Sequence, residues 1–102
     1  MSDEDLDRMM AQAREAADFL KTLGHEGRLM ILCHLATGEK SVGELERMLS
    51  ARQAAVSQQL TRLRLEGLVQ PRREGKTIYY SLTDERPRRM MELVYELFCK
   101  DG

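Results

Sequence analysis

Residues 50–69 read Ser50-Ala-Arg-Gln-Ala-Ala-Val-Ser-Gln-Gln-Leu-Thr-Arg-Leu-Arg-Leu-Glu-Gly-Leu-Val69, and the fold turns on this stretch. It opens with a helix-start signature, because the Ser50 hydroxyl can accept from the third helical amide while Gln53 reaches back. At about 100° per residue, Val56, Leu60 and Leu63 fall on one narrow stripe. Ala54, Ser57, Gln58, Thr61 and Arg62 lie on the opposite side. That outer face carries no acid, whereas a helix turned only to water mixes Glu with Lys. Small residues, amides, hydroxyls and terminal arginines suit a helix lying in the major groove of DNA. Gly67 stops the helix, so it spans about residues 51–66, and Leu68-Val69 begins an extended segment.

Working outward, the whole chain of 102 residues is one domain with a modest core, for which oligomerisation would help. Charged residues make up 32% of it and the net charge is −1, which alone argues against a nucleic-acid binder. The distribution of those charges points the other way. From Arg47 to Lys76 there are seven bases and two acids, a net +5; from Met1 to Glu26 there are three bases and seven acids, a net −4. The acidic N-terminus has no apolar run, and nowhere do about 18 apolar residues follow one another. The expectation is a cytoplasmic protein away from any membrane, in whose compartment two cysteines are no structural staple by default.

Before the central stretch, Asp3 to Leu23 reads as a helix, with Leu6, Met10, Ala13, Ala17 and Leu20 on one weakly hydrophobic stripe that suits a subunit interface or the chain's own core. Gly24 ends it. His25 to Ala36 is a second helix with a wide apolar arc (Leu29, Leu32, Cys33 and Ala36, flanked by Ile31 and Leu35). Thr37 to Lys40 is a turn. Ser41-Val-Gly-Glu44 is another capping box, opening a short helix with Val42, Leu45, Met48 and Leu49 inward. Two helices joined tightly, the second bearing the polar face, make a helix-turn-helix.

After Gly67 comes a hairpin, with arms Leu68–Arg73 and Lys76–Leu82 and a turn at Glu74-Gly75. Ile78, Tyr80 and Leu82 alternate with Thr77, Tyr79 and Ser81. Pro71 cannot donate to a ladder and suits an edge. The bases Arg72, Arg73 and Lys76 gather at the tip, as a wing over residues 68–82 touching flanking phosphates requires. Thr83-Asp84 caps a last helix with Met90, Leu93, Val94, Leu97 and Phe98 on its apolar face and Cys99 near its end. The fold class expected is mainly α with a small β-hairpin: four helices, two strands and a helix, a winged helix-turn-helix forming a homodimer through its terminal helices. A two-fold dimer places its recognition helices about one DNA turn apart and implies an inverted-repeat operator in double-stranded DNA. Gln53, Ser57 and Gln58 are expected at base edges, beside Ala54 and Thr61. Arg52, Arg62, Arg64, Arg72, Arg73 and Lys76 are expected at phosphates.

The runs Gly24-His-Glu-Gly-Arg-Leu-Met-Ile-Leu32, Ser41-Val-Gly-Glu-Leu45, Ala55-Val-Ser-Gln-Gln-Leu60 and Gly75-Lys-Thr-Ile-Tyr-Tyr-Ser-Leu82 together resemble the ArsR/SmtB family of winged-helix repressors. The resemblance spans roughly Ala17 to Cys99. It implies a homodimeric repressor that leaves its operator when an inducer binds. Metal-sensing members often carry Cys-x-Cys in the helix before the recognition helix, where this chain reads Val-Gly-Glu-Leu-Glu-Arg-Met-Leu. Others bind zinc through Asp and His on the last helix, and Glu85 to Gly102 holds no histidine. The chain's two histidines, His25 and His34, make a poor ligand set, so no metal and no cofactor is expected.

Cys33 and Cys99 remain. As residues alone they read either as packing, since free cysteine is often buried, or as reactive thiols. Their placement resembles that in the persulfide-responsive repressors of the SqrR and BigR type, which implies sensing thiols that react with sulfane sulfur and release the DNA through an intrasubunit disulfide or polysulfide bridge. His34 points about 100° away from Cys33 and is not assigned as its base. Alternatives are a response to peroxide, or to a metal or metalloid, and, more remotely, a protein-interaction module with no DNA role. No phosphate loop, carboxylate pair or nucleophile–base set is present, so there are no catalytic residues and no enzyme is expected.

Overall fold

The computed structural model describes residues 1–49 and 53–100. In chain order the elements are α1 (Asp3–Leu23), α2 (Glu26–Leu35), β1 (Lys40–Ser41), α3 (Val42–Leu49), α4 (Gln53–Leu65), β2 (Val69–Glu74), β3 (Thr77–Leu82) and α5 (Glu85–Phe98). Each helix start has a side-chain acceptor for its free amides where one is described. Ser2 and Asp5 form a reciprocal capping box on α1, and Ser41 and Glu44 form the expected one on α3. Asp84 caps α5 by accepting from the Arg86 amide. The cap of α2 is His25, whose Nδ1 accepts from the amides of Gly27 and Arg28 at 3.1 and 3.4 Å. The expected cap at Ser50 lies outside the described residues.

Gly67, at φ +76°, ends α4 as expected. The Leu68 amide donates to the Leu63 carbonyl and the Gly67 amide to the Arg64 carbonyl, both at 2.9 Å. That is a complete Schellman closure, and its hydrophobic pair, Leu63 and Leu68, is buried. The chain therefore turns from the recognition helix into the wing at one fixed angle.

The sheet corrects the sequence reading in two places. It has three strands, antiparallel in the order β1-β3-β2, because Lys40 and Ser41 pair with Tyr80 and Tyr79. The hairpin turn is Gly75-Lys76, with Gly75 at φ +63°, while Glu74 still pairs with Thr77. Pro71 lies on an edge strand, as its missing amide demands.

The core gathers Leu23, Ile31, Leu32, Leu35, Leu45, Val56, Leu60, Leu63, Leu68, Val69, Leu82 and Met91. The stripe expected on α4 is thus buried as a unit. On helix α5, Met91 and Pro87 are the buried residues, while Leu93, Leu97 and Phe98 of the apolar face assigned to subunit pairing are exposed. Met48, expected inward on α3, is also exposed. The stripe of α1 does not enter the chain's own core either, since Leu6, Met10 and Leu20 stay exposed while Thr22 and Leu23 are buried. The radius of gyration is 15.3 Å, against about 13 Å for a compact domain of this length. A 21-residue α1, about 31 Å long, accounts for the excess.

Candidate nucleic-acid interface and thiol pair

Burial of Val56, Leu60 and Leu63 fixes which side of α4 faces out. Gln58, Thr61, Arg62 and Arg64 are exposed on it, and Ser57 is half-buried. The Thr61 hydroxyl donates back to the Ser57 carbonyl at 2.9 Å, which leaves its oxygen able to accept. Arg62 pairs with Glu66 one turn on, Nε to Oε1 at 3.2 Å. Arg64 has no carboxylate partner among the described residues. Gln53 and Ala54 open the helix; Arg52 and the side chains of Gln53 and Ala54 lie outside what is described.

The wing separates its three bases. Arg72 is held: its Nε and Nη2 donate to both carboxylate oxygens of Glu39 at 3.0 and 2.7 Å, and Nη1 donates to Glu74 at 3.0 Å. Its guanidinium also stacks over the Tyr79 ring, 4.9 Å from the centroid. Its hydrogen bonds to the accepting carboxylates of Glu39 and Glu74 raise the Arg72 pKa further, and the Arg72 guanidinium holds the Glu39 carboxyl below the ordinary carboxylate range. Arg73 and Lys76 are exposed and enter no ion pair among the described residues. Glu39 was missed by sequence reasoning, since nothing local marks a partner 33 residues away.

The thiols sit on different helices and in different surroundings. Cys33 is half-buried on α2, and Cys99 is exposed as the C-cap of α5. The Cys33 thiol donates to the thioether of Met91 at 3.5 Å, a contact for which the sequence carries no signal. Burial pushes the Cys33 thiol up, and the charge of a Cys99 thiolate adds a smaller push in the same direction. At neutral pH Cys33 is therefore a thiol rather than a thiolate. Met91, its α5 neighbour, lies eight positions before Cys99, about 12 Å along the helix axis. His34 is half-buried beside Cys33 in sequence, and its backbone carbonyl accepts from Thr37.

Among the described residues no three His, Cys, Asp or Glu side chains gather where they could hold a metal ion. No described helix is long and apolar enough to cross a membrane.

With this geometry the comparisons agree. Residues 25–70 match the pattern of the family described as bacterial regulatory protein, arsR family. The Biofilm growth-associated repressor of Agrobacterium fabrum is 50% identical over 94 residues, covering 92% of this chain and 80% of that protein. The Transcriptional activator HlyU of Vibrio cholerae is 41% identical over 95 residues, 93% of this chain and 88% of its own. The crystal structure of the transcriptional repressor BigR from Xylella fastidiosa superposes with a TM-score of 0.88 at 42% identity, over 99% of this chain and all of that one. Winged helix-turn-helix, acid-free outer helix face and sequence relationship converge: the chain belongs to the arsR family of bacterial regulatory proteins.

Proposed function

We propose that this regulator is a homodimeric, cytoplasmic repressor that holds an inverted-repeat operator and lets go when Cys33 and Cys99 react with persulfide. The observation that carries the DNA reading is the outer face of α4, acid-free from Gln53 to Leu65 and fixed outward by its buried stripe. Ser57 and Gln58 are the base readers it offers, with Gln53 and Ala54 ahead of them and Thr61 beside them. Arg64, Arg73 and Lys76 are the cations free for phosphates, joined by Arg52 and, once it leaves Glu66, by Arg62. Dimerisation is supported by the exposed apolar residues of the terminal helices, among them Met10 at 77%, Leu97 at 67% and Phe98 at 81% exposure. Such a surface on a lone chain marks an interface. The relative named a repressor is 50% identical to this chain over 94 residues, which favours repression as the sign of regulation.

The unlike thiols support an order of reaction. Exposed Cys99 attacks first: its thiolate takes the outer sulfur of an organic persulfide RSSH and expels the thiolate RS⁻. The Cys33 thiol, losing its proton to solvent, then attacks the inner sulfur of the Cys99 persulfide and expels hydrosulfide. The net change is two thiols and RSSH giving one disulfide, RSH and H2S. Each further sulfur inserted consumes one more RSSH and releases one more RSH. A plain disulfide needs Cα atoms about 4.4–6.8 Å apart; Cys33 contacts Met91 and is near enough to Cys99 to feel its charge. Inserted sulfur relaxes that requirement, which supports persulfide over peroxide as inducer.

Gel shift of an inverted repeat selected by the protein, with and without an organic persulfide, tests this, with mass spectrometry of the treated chain. Cys33→Ser and Cys99→Ser are each expected to bind DNA normally and to keep it after treatment. Normal release by either variant would falsify the two-thiol mechanism.

A further inference from the structure

Three helices of this chain meet at one guanidinium. Arg28, in the first turn of α2, donates from Nε to the carbonyl of Thr22 at 2.8 Å and from Nη1 to Oε1 of Gln59 at 3.1 Å. Thr22 lies in the last turn of α1, where backbone carbonyls have no helical partner and the helix dipole favours a cation. Gln59 lies in α4, next to Gln58 but turned off the DNA-facing side, and is half-buried. The approach is close. A Cβ at Gly27 would meet the His25 ring at 3.1 Å and Cγ of Gln59 at 3.8 Å. The imidazole that caps α2, its glycine and the amide of the recognition helix therefore lie close together, with Glu26 beside them and Arg28 bonded to that amide.

We infer that Arg28 is a positioning residue for DNA reading: through Gln59 it sets the roll of α4 about its axis, and through Thr22 it ties that setting to α1. This rests on the assignment of α4 as the DNA-reading helix. A buried stripe of Val56, Leu60 and Leu63 keeps α4 on the core but is non-directional, and tolerates a small roll. A two-ended hydrogen bond from a planar, charged fork is directional and does not. A small roll of α4 would carry Ser57 and Gln58 off their base edges, while phosphate contacts from long, flexible arginines and lysine would follow. Specificity, not total affinity, is the quantity Arg28 controls.

The test is a double-mutant cycle with Arg28→Lys, which keeps the charge and loses the fork, and Gln59→Met, which keeps the shape and loses the acceptor. The target is an inverted repeat enriched by the wild-type protein from random duplexes, measured against a scrambled duplex of equal length. Each single variant is expected to lose about tenfold in operator affinity, the size one hydrogen bond to a charged group carries. The double variant is expected to lose about the same tenfold, because both substitutions break one link. Affinity for the scrambled duplex stays unchanged throughout. Undiminished operator preference in both single variants, multiplicative losses in the double, or equal losses on the scrambled duplex would each overturn the role of Arg28. Failure of the wild-type protein to enrich any repeat is a different result, which removes the DNA-reading role of α4 itself. Gln59→Met, a half-buried amide exchanged for a good helix former, decides the matter if Arg28→Lys fails to fold.

Discussion

Replacing each wing cation in turn by alanine separates those that touch DNA from the one that builds the wing. A phosphate contact contributes about 0.9 to the slope of log affinity against log salt. Between 50 and 200 mM salt, one such contact therefore accounts for about 3.5-fold of the affinity lost, and the same residue on two wings for about 12-fold. Arg73 and Lys76, exposed and outside any described ion pair, are expected to show that change. Lys76→Ala and Arg73→Ala should each flatten the slope by about 0.9 per wing, hence about 1.8 for a dimer. Arg72 is expected to leave the slope unaltered, since two carboxylates and the Tyr79 ring already occupy its guanidinium. Its replacement should appear instead as a lower Tm, because the link from β2 to the turn before β1 is cut. Fluorescence anisotropy on a labelled operator across a salt series, with thermal unfolding alongside, reads both quantities. If Arg72→Ala flattens the slope as much as Lys76→Ala, the Glu39–Arg72 pair opens on DNA and sequestration of Arg72 is wrong. If none of the three changes the slope, the hairpin is no DNA-touching wing.

Leu60→Ala, at a residue 1% exposed, should cost about 2–5 kcal/mol in urea unfolding, while Leu65→Ala, at 79% exposure, should stay within about 0.5 kcal/mol; similar costs would mean that α4 is rolled differently. Alkylation followed by mass spectrometry should modify Cys99 well before Cys33 at pH 7, because a raised pKa leaves Cys33 a smaller thiolate fraction at any given pH. Cys33 should approach the rate of Cys99 only above pH 9, its unperturbed value, and equal rates at pH 7 would refute the burial effect. The Ser41 backbone amide, chiefly, holds the Glu44 carboxyl below its usual 4.5. A depressed carboxyl stabilises the fold above its unfolded value and loses that contribution as pH falls through the folded one. Glu44→Gln should therefore lower Tm at pH 7 and converge with wild type as pH falls through the lowered value of the Glu44 carboxyl; a constant gap at all pH values counts against the capping box.

The features visible in the sequence are those decided within one or two helical turns. The stripe Val56, Leu60 and Leu63, the Ser41–Glu44 box and the stop at Gly67 each depend on residues no more than seven apart. The Ser2–Asp5 box on α1 carries the same kind of local signal. Strand β1 was not legible, because Lys40 and Ser41 show no strand pattern and extend only where Tyr79 and Tyr80 offer them an edge. The core contact of α5 is not legible for a related reason. Its apolar residues fill more than one stripe, and the position of β3 and α2 selects Met91 rather than Leu93 or Leu97 for the core. At the candidate site the DNA-facing residues of α4 were readable from periodicity. The ties that orient the site, Arg72 to Glu39 and Arg28 to Gln59, span 33 and 31 positions and leave no local trace.

In the proposed mechanism, helix α2 would carry chemistry at sulfur to the DNA-facing helix without a thiol at the interface. Its N-terminal turn holds α4 through Arg28 and Gln59, and its middle shares one core with Val56, Leu60 and Leu63. Its later turns meet α5, where Cys33 contacts Met91 and Arg88 donates to the Ala36 carbonyl at 2.8 Å. That second arginine also sits at a helix C-terminus, so α2 is tied to α1 and α4 through its own Arg28 at one end and to α5 through Arg88 at the other. The proposed sulfur bridge from Cys33 to Cys99 would act between α2 and α5, and a close-packed core answers a shift there by changing arrangement rather than by stretching. The strain the bridge adds to the DNA-bound arrangement is the whole of the affinity it can remove, about 1–3 kcal/mol for a switch of ordinary size. By the same linkage, bound operator disfavours the bridge by an equal amount at equilibrium. On the proposed mechanism, the bridged fraction at equilibrium is therefore smaller for protein seated on the operator than for protein free in solution.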